Sequence, residues 1–487
     1  MTFRPWLQAW FPAQRHLDRR LQTLWTVLQL AVLLLPFSSL LGSLGILLAA
    51  IGTWNQRFHA IVRRPLNWGF AVLSLLMLLS TALAYKRTDA LLGLFNFLPF
   101  FFAFAGLGEL IRTPAQLRRL AWLLVIGSVP VVAIGLGQQF FGLSGRINFL
   151  WVFNWTIDPT GNPPGRMASI FFYANVLASY LVVTLTLSLG LWIEVVFSDR
   201  AQGKRQKSEA RSQKSEARSQ KPEFRGYSDL EDSDSLLPTP VRLSAHVEAY
   251  SLLPKIFLTI AVLGNAIALI LTNSRNAWAI AVFACLAYAL YLGWRWLLVG
   301  VGVVVSSALG AAFAPTPERD WLRAIVPAFF WARLTDQLYT DRPVAQLRST
   351  QWQFAWSLAQ QHPLTGWGLR NFSPLYQAHM QYFIGHPHNL LLMLAAETGI
   401  PTALLFFGLV GWVVVQGSLL LASQRRLSSA IANEMSDRLL YFSYLVAFTG
   451  CALFSFLDIT LFDVRINLLG WLLLAAIVGL VYGRDEE

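Results

Sequence analysis

The chain has 487 residues, of which 55% are hydrophobic and only 13% charged, and it carries 19 Trp and 34 Phe; a soluble chain of this length has about a quarter charged residues. The composition excludes an ordinary soluble domain and describes a polytopic, all-α membrane protein with about twelve transmembrane helices in a single domain, 1–487. The net charge of +12 does not argue for nucleic acid, because in a membrane protein the placement of Lys and Arg sets topology, and the two cysteines, Cys285 and Cys451, lie in apolar runs that exclude a disulfide framework or a CxxC metal site.

From the N-terminus, Arg15, Arg19 and Arg20 precede a long apolar region with no small-residue cleavage pattern, so the first helix is expected to stay rather than be removed as a signal peptide. Residues 24–52 are interrupted at Pro36-Phe37-Ser38-Ser39, which predicts two short helices joined by a tight turn, since proline disfavours helix in the residue before it. Ten further runs are long enough to cross a bilayer: 66–85, 89–111, 118–139, 168–197, 255–273, 277–293, 296–314, 399–422, 439–457 and 464–482. Basic residues at 15–20, 57–64, 112–119, 198–254, 425–438 and 484 sort onto one side, which predicts a multi-pass protein with cytoplasmic termini. The loop 198–254 repeats KSEARSQ twice, turns acidic and lacks apolar heptad positions, and is expected to be a disordered cytoplasmic insert.

Two segments then fall on the extracytoplasmic face: 140–167 and the longer loop 315–385. The second holds Arg319, Arg323, Arg333, Arg342, Arg348 and Arg370 but no lysine. Guanidinium groups stay charged and present a planar fork of donors that fits phosphate oxygens, so the loop predicts diphosphate binding; the competing reading is ordinary salt bridges with Glu318, Asp320, Asp336 and Asp341. Within it, 347–361 predicts a helix at the membrane surface with Leu347, Phe354 and Leu358 near one stripe and Trp352 and Trp356 alongside. Arg348 opens that helix at the bilayer edge.

Arg275, in "LTNSRNAW", sits between two apolar stretches, where a charge is costly and commonly marks a pathway or a site; snorkelling to the headgroups is the alternative. Arg166 opens the sixth helix from the same side, and Asn175 is expected about two and a half turns deeper, joining helices by hydrogen bonds. In "HPHNLLLMLAAETGIPT", the run from His388-Asn389 to Gly399 is too short to cross alone and predicts a half-helix with His388 at the water boundary, where a neutral imidazole can take a proton from an attacking hydroxyl. A capping histidine is the bland alternative. His386 is expected to be loop-exposed, and Glu397 to orient a partner or pair with an arginine. A metal site from His379, His386 and His388 is set aside, because Pro387 separates the closest pair and no carboxylate stands at i+3 or i+4. No P-loop, GxSxG elbow or dinucleotide fingerprint is present, so no cofactor is expected.

These residues resemble the O-antigen ligase and polymerase-like membrane proteins. His388, Asn389, Gly399 and Thr402 are similar to the ligase pattern H-[N/S/Q]-x9-G-x-x-[G/T/Y]; Arg348, Trp352, Pro363, Gly366 and Gly368 are similar to the outer loop's R-x-x-W opening, with one extra residue, and its P-x-x-G-x-G turn; "GRMASIFFYANVLASYL" and "NSRNAW" are similar to the Arg-to-Asn helix and Ser-Arg helix end. The resemblance runs through 160–420, and the insert at 198–254 is not part of the pattern. It implies transfer of a glycan from an undecaprenyl-diphosphate carrier to an acceptor glycan or glycolipid hydroxyl on the extracytoplasmic face of the inner, plasma membrane, among membrane lipids and without metal or nucleotide. His388 would be the general base, Arg275 and Arg348 the diphosphate clamp, and Arg166, Asn175, Asn389, Trp352 and Glu397 the substrate-binding shell. The alternatives are an O-antigen polymerase or a bicarbonate or anion transporter, since a cyanobacterial branch of the same family carries that label. Paired broken helices would favour a transporter, and only one broken helix, 388–402, is evident.

Overall fold

The computed structural model describes residues 15–150, 152–219, 241–335, 343–427 and 432–484. The interrupted N-terminal region forms two helices, α1 (Gln22–Leu34) and α2 (Ser39–Arg63), with Pro36 in the turn between them and the Ser38 hydroxyl capping α2 at the Leu41 N–H. The helix α2 runs eleven residues past the apolar stretch, because its polar end "WNQRFHAIVR" still packs and pairs. The helices α3 (Pro65–Ala82), α4 (Arg87–Leu94), α5 (Leu98–Leu110) and α6 (Pro114–Phe141) follow, the last opened by a reciprocal Thr113–Gln116 capping box.

Beyond a hairpin and an irregular loop come α7 (Ala174–Ser219), α8 (Val241–Leu271), α9 (Arg275–Leu292) and α10 (Arg295–Phe313). Four outer helices succeed them: α11 (Glu318–Ile325), α12 (Ala328–Leu334), α13 (Arg348–Gln361) and α14 (Phe372–Met380). The half-helix α15 (Leu390–Thr398) leads into α16 (Ile400–Leu427), and α17 (Ala432–Leu457) and α18 (Val464–Arg484) close the chain. Among the described residues, ten helical segments are long and apolar enough to cross a membrane, and each coincides with one of the ten runs predicted from sequence. The middle of the expected insert, 220–240, lies outside the described residues; at its flanks the backbone is helical, carrying α7 to Ser219 and starting α8 at Val241, as the helix-favouring Lys, Glu, Ala, Arg and Gln of the repeat allow.

Burial ranks the spans. The Ala174–Phe197 and Val464–Arg484 segments are each 78% buried and form the centre, whereas Arg295–Phe313 is 11% buried and stands at the periphery. The centre packs around Trp471, whose ring meets Phe70, Phe101 and Phe104 at 5.2–5.7 Å in edge-on contacts. Edge-to-face packing of this kind adds about 0.5–1.5 kcal/mol per pair beyond area burial.

The basic clusters gather at one end of the bundle. Arg118 pairs with Glu194 and Asp437 at 2.6 Å each, joining α6, α7 and α17. Nearby, Arg64 and Arg112 both engage the buried Glu109, and Arg64 also lies over the Tyr482 ring. Charges that must sit close to hydrocarbon are thereby paired.

The opposite end contains the one sheet among the described residues, an antiparallel hairpin of β1 (Gly145–Phe149) and β2 (Phe153–Ile157). Its aromatic and β-branched residues favour pleated backbone. The hairpin covers the α1–α2 turn through the Ser38 hydroxyl to the Val152 carbonyl and the Trp155 indole to the Phe37 carbonyl.

Candidate active site at the end of the bundle

His388 precedes the half-helix by two residues and adopts a left-handed backbone, φ +54°. Such a conformation is uncommon for a residue with a side chain and concentrates at functional sites. Several contacts impose it. Asn389 caps α15 by accepting the Leu392 N–H at 3.0 Å and donates to the Phe456 carbonyl at 3.1 Å, while the Trp352 indole of α13 donates to the Pro387 carbonyl at 2.9 Å. Asn389 and Trp352, expected to meet substrate, thus have these polar atoms engaged in holding the histidine loop.

The imidazole Nδ1 lies 2.8 Å from Oδ1 of Asp458, a residue 70 positions later that follows directly on α17. Asp458 is 3% exposed. Its Oδ1 also accepts the Ile459 N–H at 2.9 Å, and its Oδ2 accepts from the Asn175 side-chain amide. With a carboxylate accepting at Nδ1, the proton of the neutral ring resides there and Nε2 is left as the basic nitrogen. Burial by itself would push the Asp458 pKa up; the His388 hydrogen bond and charge, with His386 and Arg348 nearby, outweigh it and hold the carboxyl at about 2.

The chain of contacts continues inward. The Asn175 side-chain oxygen accepts from Arg166, whose Nε donates to the Thr272 carbonyl at 2.8 Å. One network therefore runs Arg166, Asn175, Asp458, His388. The sequence expectation for its first two members needs correcting: α7 begins at Ala174, so Asn175 stands at the helix entrance rather than two and a half turns inside. Residues 158–173 are irregular because Pro163, Pro164 and Gly165 break helix, and Gln138 of α6 satisfies the buried, non-helical backbone by accepting the Ala168 and Ser169 N–H groups. Arg166 is 6% exposed and reaches the histidine through Asn175.

Arg275 is the first residue of α9. The turn that carries it is held on one side by Arg166 on Thr272 and on the other by Asn276, whose amide donates to the Leu457 carbonyl beside Asp458 at 3.3 Å. Arg348 opens α13, and its charge bears on both Asp458 and His386. Of the other outer-loop arginines, Arg319 pairs with Asp320 at 3.5 Å, Arg323 donates to the Ala311 carbonyl and stacks on Trp331, and Arg370 is exposed. Asp336, Asp341 and Arg342 lie outside the described residues.

His386 stacks on Phe462 at 5.5 Å and packs edge-on to His388 at 4.5 Å, half-buried rather than loop-exposed; burial, chiefly, lowers its pKa to about 4. Glu397 is 3% exposed and sits at the far end of α15. Its carboxylate accepts the Phe372 N–H, and its carbonyl accepts the Gly368 N–H at 2.7 Å and the Ser80 hydroxyl at 3.0 Å. The turn 363–368 is clasped against this corner. A Cβ on Gly366 would lie 2.4 Å from the Glu397 carbonyl carbon, and one on Gly399 2.3 Å from the Leu364 oxygen. The P-x-x-G-x-G pattern is thus a backbone-to-backbone contact that leaves no room for side chains.

His386, His388 and Asp458 bring three ligand atoms within 4.8 Å of one another, a set hidden from local spacing because its carboxylate is remote in sequence. Arg348 sets a positive charge beside these groups, acting on both Asp458 and His386, which disfavours a cation among them. The donor set fits an oriented imidazole better than a cation.

An apolar cavity of about 430 Å³ adjoins this group between α16, α17 and α18. Its wall includes Leu390, two residues after His388, and Phe456 and Thr460, which flank Asp458.

Residues 260–407, which contain Arg275, Arg348, His388 and Glu397, match the family model described as O-antigen ligase. Over this segment, about a third of its length, the chain is similar to the O-antigen ligase family. No curated protein matches the chain. The matched segment ends before Asp458, so the carboxylate that orients the histidine enters through the tertiary structure. Sequence reasoning passed over Asp458 although a signal was there: an acidic residue set in the apolar stretch "FSFLDITLF" carries the same cost near hydrocarbon that singled out Arg275.

Proposed function

We propose that this O-antigen ligase-like protein is a membrane glycosyltransferase that moves a glycan from a polyprenyl-diphosphate carrier, of the undecaprenyl type, to the hydroxyl of an acceptor glycan or glycolipid. The observation that carries the reading is the His388–Asp458 pair, partly exposed on the imidazole side and buried on the carboxylate side, at the rim of a cavity suited to an apolar tail.

In this reading Nε2 of His388 takes the proton of the acceptor hydroxyl as its oxygen attacks the anomeric carbon. Asp458 keeps the ring in the required tautomer and stabilises the imidazolium that forms. The bond from the anomeric carbon to the diphosphate oxygen breaks on the opposite face, giving inversion, and the diphosphate departs with the added charge. Arg348 and Arg275 meet that developing charge with fixed donors, a contribution typically worth 10²–10³ in rate for each donor. Arg166 supports the site through Asn175 and Asp458. In this reading the apolar cavity accommodates the carrier's first isoprene units and the diphosphate lies at its rim beside His388.

The test is transfer by the purified full chain in detergent, with a polyprenyl-diphosphate oligosaccharide as donor and a glycolipid as acceptor. Product formation that is lost in His388→Ala and Arg275→Ala supports the reading. Unchanged turnover in both variants, together with Arg275-dependent anion flux in proteoliposomes, would replace it with transport.

A further inference from the structure

The outer helices line a second, more open cavity that differs in kind from the apolar one. It lies between α13 and α14, also has a volume of about 430 Å³, and is lined by Phe354, Ser357, Gln361, Trp367 and His379 among others. Aromatic rings line it: the His379 ring stacks on Phe354 at 5.2 Å and 24°, and Trp367 is held by its indole N–H to the Leu358 carbonyl and by contact with His362 at 4.3 Å. Trp367 is positioned further by the clasped turn, its backbone N–H donating to Ala396. Polar groups stand among the rings. Ser357 lends its hydroxyl oxygen, while Gln361 and His379 are exposed at the mouth. Among the described residues, no Asp, Glu, Lys or Arg contributes to the lining.

That combination selects a ligand. Flat apolar ring faces favour a partner with a patch of C–H surface, and amide, imidazole and hydroxyl groups at the edges favour a partner rimmed with hydroxyls. A pyranose ring has both. The uncharged lining favours a neutral sugar over a phosphate or a uronic acid, and the volume is that of a small-ligand pocket. The cavity belongs to the same end of the molecule as the histidine, because α13 starts at Arg348 and ties to Pro387 through Trp352. Its residues lie six to thirteen positions along α13 from Arg348, on the order of 10–20 Å at 1.5 Å per residue.

We infer that the cavity between α13 and α14 is a carbohydrate subsite that takes neutral pyranose units of a glycan chain at a distance from the reacting end. The inference rests on the glycosyltransferase reading for the role of the sugar but not for its binding. Two sources share this chemistry, the carrier-borne glycan and the acceptor.

The experiment titrates maltotetraose and chitotetraose, up to tens of millimolar, into the full chain in detergent and follows binding by saturation-transfer NMR. At least one tetrasaccharide is expected to bind the wild type and His388→Ala alike. Ala378→Trp, which fills the cavity from an exposed lining position, should abolish binding, and Gln361→Ala on the facing helix should weaken it about tenfold, a loss of roughly 1.4 kcal/mol. Both changes are at exposed residues, and unchanged thermal melting identifies folded variants. Binding of neither sugar by the wild type, or undiminished binding by folded Ala378→Trp, would overturn the inference. In the transfer assay, a KM raised by Ala378→Trp for the donor alone assigns the subsite to the carrier-borne glycan, and for the acceptor alone to the acceptor. A protein that binds the tetrasaccharide yet transfers nothing keeps the subsite and loses the proposed function.

Discussion

Replacing Asp458 by Asn asks how much the proposed reaction owes to the orientation of one imidazole. Three donors converge on this carboxylate in the structure: His388 Nδ1 and the Ile459 N–H on Oδ1, and the Asn175 amide on Oδ2. A carboxylate is acceptor-only and satisfies all three, whereas an amide must turn its NH₂ toward one of the two sides. If it faces His388, it forces the ring to accept at Nδ1 and to carry its proton on Nε2, where it cannot act as base. Facing Asn175, it sets donor against donor in a buried place, at a cost of about 1–3 kcal/mol. The depression of the Asp458 pKa from the ordinary 3.8 to about 2 corresponds to about 2 kcal/mol in favour of the ionised form. Because this pKa is lowered, the carboxylate is fully ionised above pH 3.8 and the contribution is lost as pH falls toward 2, well below any workable assay range. Transfer by Asp458→Asn should therefore show kcat lowered on the order of 10²- to 10⁴-fold with little change in either KM, at every pH from 6 to 9. Asp458→Glu should restore part of the rate. A folded Asp458→Asn protein whose kcat stays within about tenfold of wild type refutes the orientation argument.

Further outcomes follow from other contacts. Arg348→Lys keeps the charge and loses the planar fork, and kcat for transfer should fall on the order of 10²-fold; an unchanged rate in the same assay removes this residue from the diphosphate clamp. Trp352→Phe deletes the hydrogen bond to Pro387, at a net cost of about 1 kcal/mol, and should lower kcat by up to about tenfold while the melting midpoint of the detergent-solubilised protein shifts by only a few degrees. Gly366→Ala forces a Cβ into the Glu397 carbonyl and strains a left-handed residue, φ +65°; a loss of more than about 2 kcal/mol is expected, read as a lower melting temperature and faster proteolysis of the outer loop. His386 has its pKa lowered to about 4, so its neutral state favours the fold above pH 6.5 and that advantage drains away as pH falls through 4. His386→Phe should consequently lose less thermal stability than wild type between pH 7 and pH 4, and equal losses would show that burial of this ring does not shift its titration.

The spans were legible because crossing a bilayer imposes a length and a composition that each segment carries by itself. All ten apolar runs, the break at Pro36, the helix opening at Arg348 and the half-helix after His388 could be read locally. The prominence of His388, Arg275 and Arg348 followed from the cost of placing polar groups near hydrocarbon, which is also a local property. The partner of His388 was not legible: Asp458 lies 70 residues away, and nothing in an apolar run states which of its neighbours in the bundle it will face. The same holds for Asn175, assigned two and a half turns inside a helix that in fact begins one residue before it, because Gln138 on another helix supplies the backbone partners that let 158–173 remain irregular. Glu397 and Asn389 look like substrate ligands in a motif and act as a corner brace and a cap in the fold. Local composition sets which segments enter the membrane and which groups are expensive there; only the packing of helices from distant parts of the chain decides which of those groups meet, since a hydrogen bond depends on a few tenths of an ångström that no spacing along the chain encodes.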